Sequence, residues 1–444
     1  MKMKQKLICS KHLLLLLLLA ASSFRAYCQQ EKILSLQDAI SLGLKHSQQI
    51  KNDSLNLKIA NSKLKQSKTN NLPQVSIAAN FLRLSDNITP FTVSLPTGNV
   101  VLNPQILNQS YNAVQARQMI FAGGKLRNAD KIAALEEQAI TFDIQKSKSD
   151  LSYQMITLWY NLYSSKQTKK LLQSNIILLQ NQKMDANNFV NQGILLENEV
   201  LKIDLAISTL ESSLADIDNG ILFLKNNLRI LTGLDQNVLV DISEFLPENA
   251  RNNENLSTLI AAAIRNRAEL KVLSIRQQQA TLGSKIAKSN YLPTLTGIGS
   301  FNYDQPNMRV FPNEATFTGT YFAGLSLNWN ITDLFTNKNK VAESKFGEQK
   351  LENAIEQAKE GIEIEVNADY NNYQSALQKI AIANKSIAQA TENFRVEQNK
   401  FKANNASSTD FLNANTQLLN ARIAFATAQA AADLAYQKLL KSIN

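Results

Sequence analysis

Two hydrophobic rhythms alternate along this chain. Long tracts place apolar residues at intervals of three and four, as in Leu151, Met155, Leu158 and Leu162, the spacing that gathers them on one face of a helix. Between these tracts lie stretches in which every second residue is apolar, the period of a strand. The clearest is 319–331, where Tyr321, Ala323, Leu325, Leu327, Trp329 and Ile331 share one face and Gly324, Ser326, Asn328 and Asn330 the other. Segments 75–84, 110–121 and 294–303 alternate less cleanly; in the first, Val75, Ile77 and Phe81 oppose Ser76 and Asn80. An apolar face backed by Ser and Asn fits a barrel strand with lipid outside and water inside. It fits an ordinary half-buried strand equally well.

Proline sharpens the boundaries. All eight prolines fall at 73, 90, 96, 104, 247, 293, 306 and 312, leaving 105–246 and 313–444 without one. Proline is excluded from helix interiors, so both tracts read as very long helices. An Asn-rich turn near 186–197 (Asn187, Asn188, Asn191, Gly193) folds the first tract back on itself. The helix from 125 to about 186 is then on the order of 90 Å long, a length that packs as a coiled coil. The strand connections, roughly 85–109 and 304–318, are polar and rich in turn formers, as exposed loops are.

The chain also repeats itself. Residues 36–73 align without gaps on 256–293, matching Leu36 with Leu256, Ile40 with Ile260, Lys51 with Lys271, Ala60 with Ala280, Lys65 with Lys285 and Leu72-Pro73 with Leu292-Pro293. The match resumes at Asn128, Lys131 and Ala133 against Asn337, Lys340 and Ala342, and again at Glu199 and Leu201 against Asp410 and Leu412. Self-similarity over so long a period indicates a duplicated structural unit. The expected organisation is a segment 1–28, a first repeat 29–247 and a second repeat 248–444. The strand pairs fall in 74–122 and 294–331, and the long helix pairs in 125–233 and 336–444. The fold class is thus mixed α/β, with long coiled-coil helices and four strands per chain.

Composition adds the compartment. Lys2, Lys4, Lys6 and Lys11 precede an apolar run, Leu13 to Ala21, too short to span a bilayer and typical of an export signal. Ala26 and Cys28 supply small residues for cleavage before Gln29; lipidation of Cys28 is the rival reading. The only cysteines are Cys9 and Cys28, so an exported chain beginning at 29 has no disulfide. Five of the 47 basic side chains lie in 1–28, leaving 42 against 37 acidic ones. This modest excess forms no basic patch with interleaved aromatics, which argues against nucleic acid as a partner.

Catalytic chemistry finds little to use. Beyond residue 28 the one histidine is His46, on a helix among polar residues, where a solvated side chain is expected. Gly123-Gly124 lacks the Gly-Lys-Ser/Thr ending of a phosphate loop. Trp159, Tyr160 and Tyr163 fall at helical spacing and read as packing. No enzyme, cofactor or metal site is expected.

Four strands cannot close a barrel, and an open sheet in lipid leaves unpaired backbone groups at two edges, each costing several kcal/mol. No stretch after residue 28 is long and apolar enough to cross as a helix. If the strands lie in a membrane, several chains must share one barrel. The alternative is a periplasmic coiled-coil scaffold or adaptor that never enters the bilayer.

The duplication, the two Leu-Pro junctions, and Ile120-Phe121-Ala122-Gly123-Gly124 where a strand enters a helix resemble the TolC-like outer-membrane efflux proteins. The second copy departs from that Phe-x-Gly-Gly, reading Trp329-Asn330-Ile331-Thr332-Asp333-Leu334-Phe335. Phe401 to Ala421 resembles the tip of that family's last helix pair. The resemblance implies a homotrimer in the outer membrane of a Gram-negative bacterium, with a shared twelve-stranded barrel and a helical periplasmic tunnel. It implies as partners a periplasmic adaptor and an inner-membrane pump, whose substrates leave through the channel. It also implies a pore entrance formed by Asp410, Asn413, Glu199 and Phe401. Here Asn413 replaces the family's second acid, Ala406 a basic residue, Phe401 the usual tyrosine and Asn404 the usual glycine. Asp410 also reads as a first-turn residue of a helix, after Ser407, Ser408 and Thr409.

Overall fold

The computed structural model describes residues 31–87, 89–103, 105–243, 255–311, 313–403 and 405–444. The expected export segment, 1–28, and Asn404 lie outside them. In chain order the elements are β1 (Glu31–Leu34), α1 (Leu36–His46), α2 (Gln48–Thr69), β2 (Gln74–Arg83), β3 (Phe91–Leu95), β4 (Gly98–Asn103), β5 (Asn108–Phe121), α3 (Lys125–Asn191), α4 (Glu197–Thr232), β6 (Leu239–Ile242), α5 (Leu256–Asn266), α6 (Ala268–Ser289), β7 (Thr294–Gln305), β8 (Thr318–Asn328), α7 (Asp333–Lys402) and α8 (Ser408–Ile443). The helices α3 and α7 run for 67 and 70 residues without a proline. Both helix-to-strand junctions taper alike. Asn70, Asn71 and Leu72 donate to carbonyls three residues back, as do Asn290, Tyr291 and Leu292. Then Pro73 or Pro293, lacking an N–H, ends the helical pattern and a strand begins.

Two compact units divide the chain. The first comprises residues up to 50, 147–262 and 364–444. Its main core gathers Leu34, Met155, Trp159, Leu162, Leu228, Val240 and Ile242. Trp159 stacks on Tyr163, with ring centroids 5.7 Å apart, and meets Tyr160 edge-on at 5.3 Å. β1 and β6 pair in parallel across this core, Glu31 opposite Leu239 through Leu34 opposite Ile242. Asp241 of β6 is held by Lys166 of α3 (2.7 Å) and Lys225 of α4 (2.9 Å). A second cluster, at the helix turns, packs Leu179, Ala186, Ile203, Phe401, Phe411 and Ala414.

The second unit comprises 51–146 and 263–363. It holds one four-stranded antiparallel sheet in the order β2-β5-β7-β8. The strand pairs of the two halves of the chain thus lie side by side through β5 and β7.

Several sequence expectations change in detail. The last strand stops at Asn328, so Trp329 and Ile331 lie beyond it. The Trp329 indole donates instead to the Tyr291 carbonyl (3.2 Å), and the chain turns into α7 through Asp333 N to Asn330 O. The first connection contains a hairpin, β3–β4, turning at Pro96-Thr97. The helix before each strand pair is two helices, the first break falling at Ser47.

Candidate functional site

The sheet has two chemically distinct faces, and the register fixes which residue lies on each. Val75, Ile77 and Ala79 of β2 align with Ala116, Val114 and Asn112 of β5. Val114 and Ala116 align with Phe301 and Gly299 of β7, and Phe301, Gly299, Gly297 and Leu295 with Tyr321, Ala323, Leu325 and Leu327 of β8. This face is an apolar band of Val, Ile, Phe, Leu and Tyr, with Ile77 79%, Tyr321 84% and Leu325 69% exposed. The other face carries Ser76 and Asn80, then Gln115 and Arg117, then Thr296, Ser300 and Asn302, then Thr320, Ser326 and Asn328. The alternation read from 319–331 therefore extends across all four strands. They are 10, 14, 12 and 11 residues long, enough to cross a hydrocarbon core, which takes about 9–11 tilted residues. Among the described residues β2 pairs only with β5, and β8 only with β7, so each leaves one edge open.

Gly123 sets the passage from sheet to helix. Its φ is +60°, and a Cβ there would lie 2.9 Å from Ser289 Cβ and 3.1 Å from Leu292 Cδ1. The glycine therefore serves both a left-handed turn and a close approach to the other junction.

The four residues expected at an entrance lie near the turns of the long helix pairs. Asp410 completes a capping box: its Asp410 N–H donates to Ser407 Oγ (3.2 Å), while Ser407 Oγ (2.7 Å) and Ser407 N (3.3 Å) donate to its carboxylate. These bonds, side chain first, together with Lys400, hold its carboxyl below the usual carboxylate range, although it is fully exposed. Glu199 reaches the same helix end from α4. It accepts from Lys202 Nζ (2.7 Å) and from the Ser408 N–H (3.1 Å), and these bonds lower its pKa against the cost of burial. Glu199 and Asp410 thus meet on the first turn of α8, where the helix dipole favours anions. Asn413 is exposed one turn on. Phe401 is 2% exposed, its ring stacked on Phe411 at 5.3 Å. Its ring thus belongs to the apolar cluster at the helix turns. His46 is exposed, with its imidazole against Gly233, the left-handed cap of α4.

Sequence reading missed the contact of Glu199 with Ser408, a pair 209 positions apart. The equivalence of Glu199 and Asp410 in the repeat was the only signal for it. Among the described residues no group of three His, Cys, Asp or Glu converges as a metal site would. No described helix is long and apolar enough to cross a membrane.

The model of the outer membrane efflux protein family matches residues 259–444. No curated protein matches the sequence significantly. In structure the chain is similar to the outer membrane protein VceC of Vibrio cholerae, with a TM-score of 0.77 at 16% identity, covering 92% of this chain and 95% of that one. It is similar to the CmeC outer membrane channel of Campylobacter jejuni, at 0.75 and 14%, covering 92% and 85%. The open MtrE outer membrane channel of Neisseria gonorrhoeae gives 0.71 and 17%, covering 92% and 88%. The family match thus covers residues 259–444, and the fold shared with these outer membrane proteins extends over nearly the whole chain.

Proposed function

We propose that the protein is the exit duct of a tripartite efflux or secretion system in the outer membrane, and that it catalyses no reaction. The observation that carries this reading is the two-faced sheet with two open edges. Its apolar band asks for lipid and its polar face for water. In lipid, neither β2 nor β8 can be left with unpaired N–H and C=O groups. Pairing β8 of one copy with β2 of the next keeps the antiparallel order and satisfies both. Three copies supply twelve strands, and the duplicated repeats supply the two strand pairs of each copy. A periplasmic adaptor and an inner-membrane pump are the proposed partners and provide the energy. A coiled-coil scaffold outside the membrane has no use for such a sheet.

Light scattering of the detergent-purified protein is expected to give a trimer, and membranes should release it only to detergent. A stable, folded monomer, or release by salt alone, would overturn the shared barrel. Reconstituted into planar bilayers, the trimer should conduct ions.

A further inference from the structure

Two apolar features stand at the same end of the sheet, on opposite edges of it. Next after β2 in the chain comes the hairpin β3–β4, which among the described residues pairs with no other strand. Register places Val93 opposite Val100 and Leu95 opposite Gly98, with Phe91 beside them; Phe91 is 62% exposed. The connection from β7 to β8, 306–317, carries Met308 and Phe311, 69% and 73% exposed.

This second connection is a built structure. Asn307, 4% exposed, donates to Thr318 O (3.1 Å) and accepts from the Arg309 N–H (3.0 Å). Gln305 Nε2 donates to Ala315 O (2.9 Å), and Tyr303 stacks on Phe317 at 5.1 Å. Arg309 lies over the Phe322 ring and reaches Thr320. With its base so fastened, the segment leaves Met308 and Phe311 exposed, a fixed apolar projection of the kind that marks an interaction surface.

We propose that Met308 and Phe311 of one copy pack against the β3–β4 hairpin of the neighbouring copy, forming a collar across each seam of the barrel. The proposal rests on the shared-barrel reading. When β8 of one copy pairs antiparallel with β2 of the next, the start of β8 and the end of β2 come to the same rim. The connection entering β8 and the hairpin leaving β2 are then neighbours from different copies. The collar continues the strand seam beyond the last ladder bond and covers apolar surface that the sheet of one copy leaves open. The committed occupant is a second copy of this chain; outer-leaflet lipid and a foreign protein are the rival occupants.

The absence of cysteine from residues 29–444 makes the test direct. Phe311→Cys and Val100→Cys are introduced together and singly, and the detergent-solubilised protein is treated with a short bismaleimide. The double variant should give covalent dimer and trimer on a denaturing gel, and each single variant only monomer. A trimer by light scattering with no covalent ladder, or with cross-links confined to one chain, overturns the collar and leaves the shared barrel standing. A monomer by light scattering overturns both. Should the double variant not assemble, Met308→Ser with Phe311→Ser serves instead. Its trimer should come apart at a lower temperature than the parent, and an unchanged dissociation temperature, as expected if these residues face lipid or a foreign protein, overturns the collar.

Discussion

Gly123 shows how a single residue can hold an element boundary. Its positive φ and the crowding at Ser289 Cβ act together. Gly123→Ala should therefore destabilise the protein by roughly 1–3 kcal/mol, from backbone strain and forced displacement of its neighbours. Thermal unfolding would show it, and Gly124→Ala, whose Cβ meets only Asn128 Nδ2 at 3.8 Å, should show strain alone. At the helix turn, Asp410 carries both a cap and a charge, and two substitutions separate them. Ser407→Ala removes the cap acceptor, costing about 1 kcal/mol of local stability, and keeps the carboxylate. Asp410→Asn keeps an acceptor for Ser407 N and removes the charge. If three copies of Asp410 line a pore entrance, Asp410→Asn should weaken cation preference and divalent block in bilayers, Ser407→Ala should leave both unchanged, and Asn413→Asp should strengthen the block. Conductance indifferent to all three would assign Asp410 to capping alone. The serine run before Asp410 was enough to read the cap from sequence. The burial of Phe401 was not readable, because it depends on Phe411, itself packed against Phe394, closing over it.

Elements carry their own predictions. Leu325, two residues from the middle of β8, lies on its apolar face and Ser326 on the polar one. Leu325→Arg should impair assembly far more than Ser326→Arg, since a cation at mid-bilayer costs roughly 2–4 kcal/mol and one in a wet lumen little. Membrane-extracted trimer yield measures the difference, and equal tolerance would mean the faces are misassigned. The short strand β6 hangs on Asp241. Burial pushes that carboxyl up, and hydrogen bonds from Lys166, Lys225 and the Ile242 N–H outweigh it, leaving it below the usual range. A depressed folded-state pKa contributes stability that is present above the unfolded value of about 3.9 and is lost as pH falls through the folded one. Asp241→Asn should thus cost about 1–2 kcal/mol at neutral pH, and that cost should shrink below about pH 4. Denaturation midpoints at pH 7 and pH 3 test it; a pH-independent cost would place the effect in packing.

At the scale of the whole molecule, each chain presents an apolar band and, among the described residues, two open strand edges, which the proposed trimer would pair. Heating the detergent-solubilised protein should therefore dissociate the trimer and abolish the β signal of circular dichroism in one transition. Loss of trimer well before loss of sheet would show that the four strands are stable alone. The sequence by itself determined the long helices, the four strands of the main sheet and the helix-to-strand junctions, because proline placement, side-chain period and the Asn-x-Leu-Pro endings act over a few residues. It also determined the face chemistry, since a period of two leaves no other choice once a strand forms. The tertiary structure alone decided what depends on distant partners. The parallel pairing of Glu31–Leu34 with Leu239–Ile242 joins two four-residue strands some 200 positions apart. The order β2-β5-β7-β8 fuses two strand pairs into one sheet, and Glu199 is bound to the far end of the second repeat. None of these leaves a local pattern, because each is held by bonds between residues far apart in the chain.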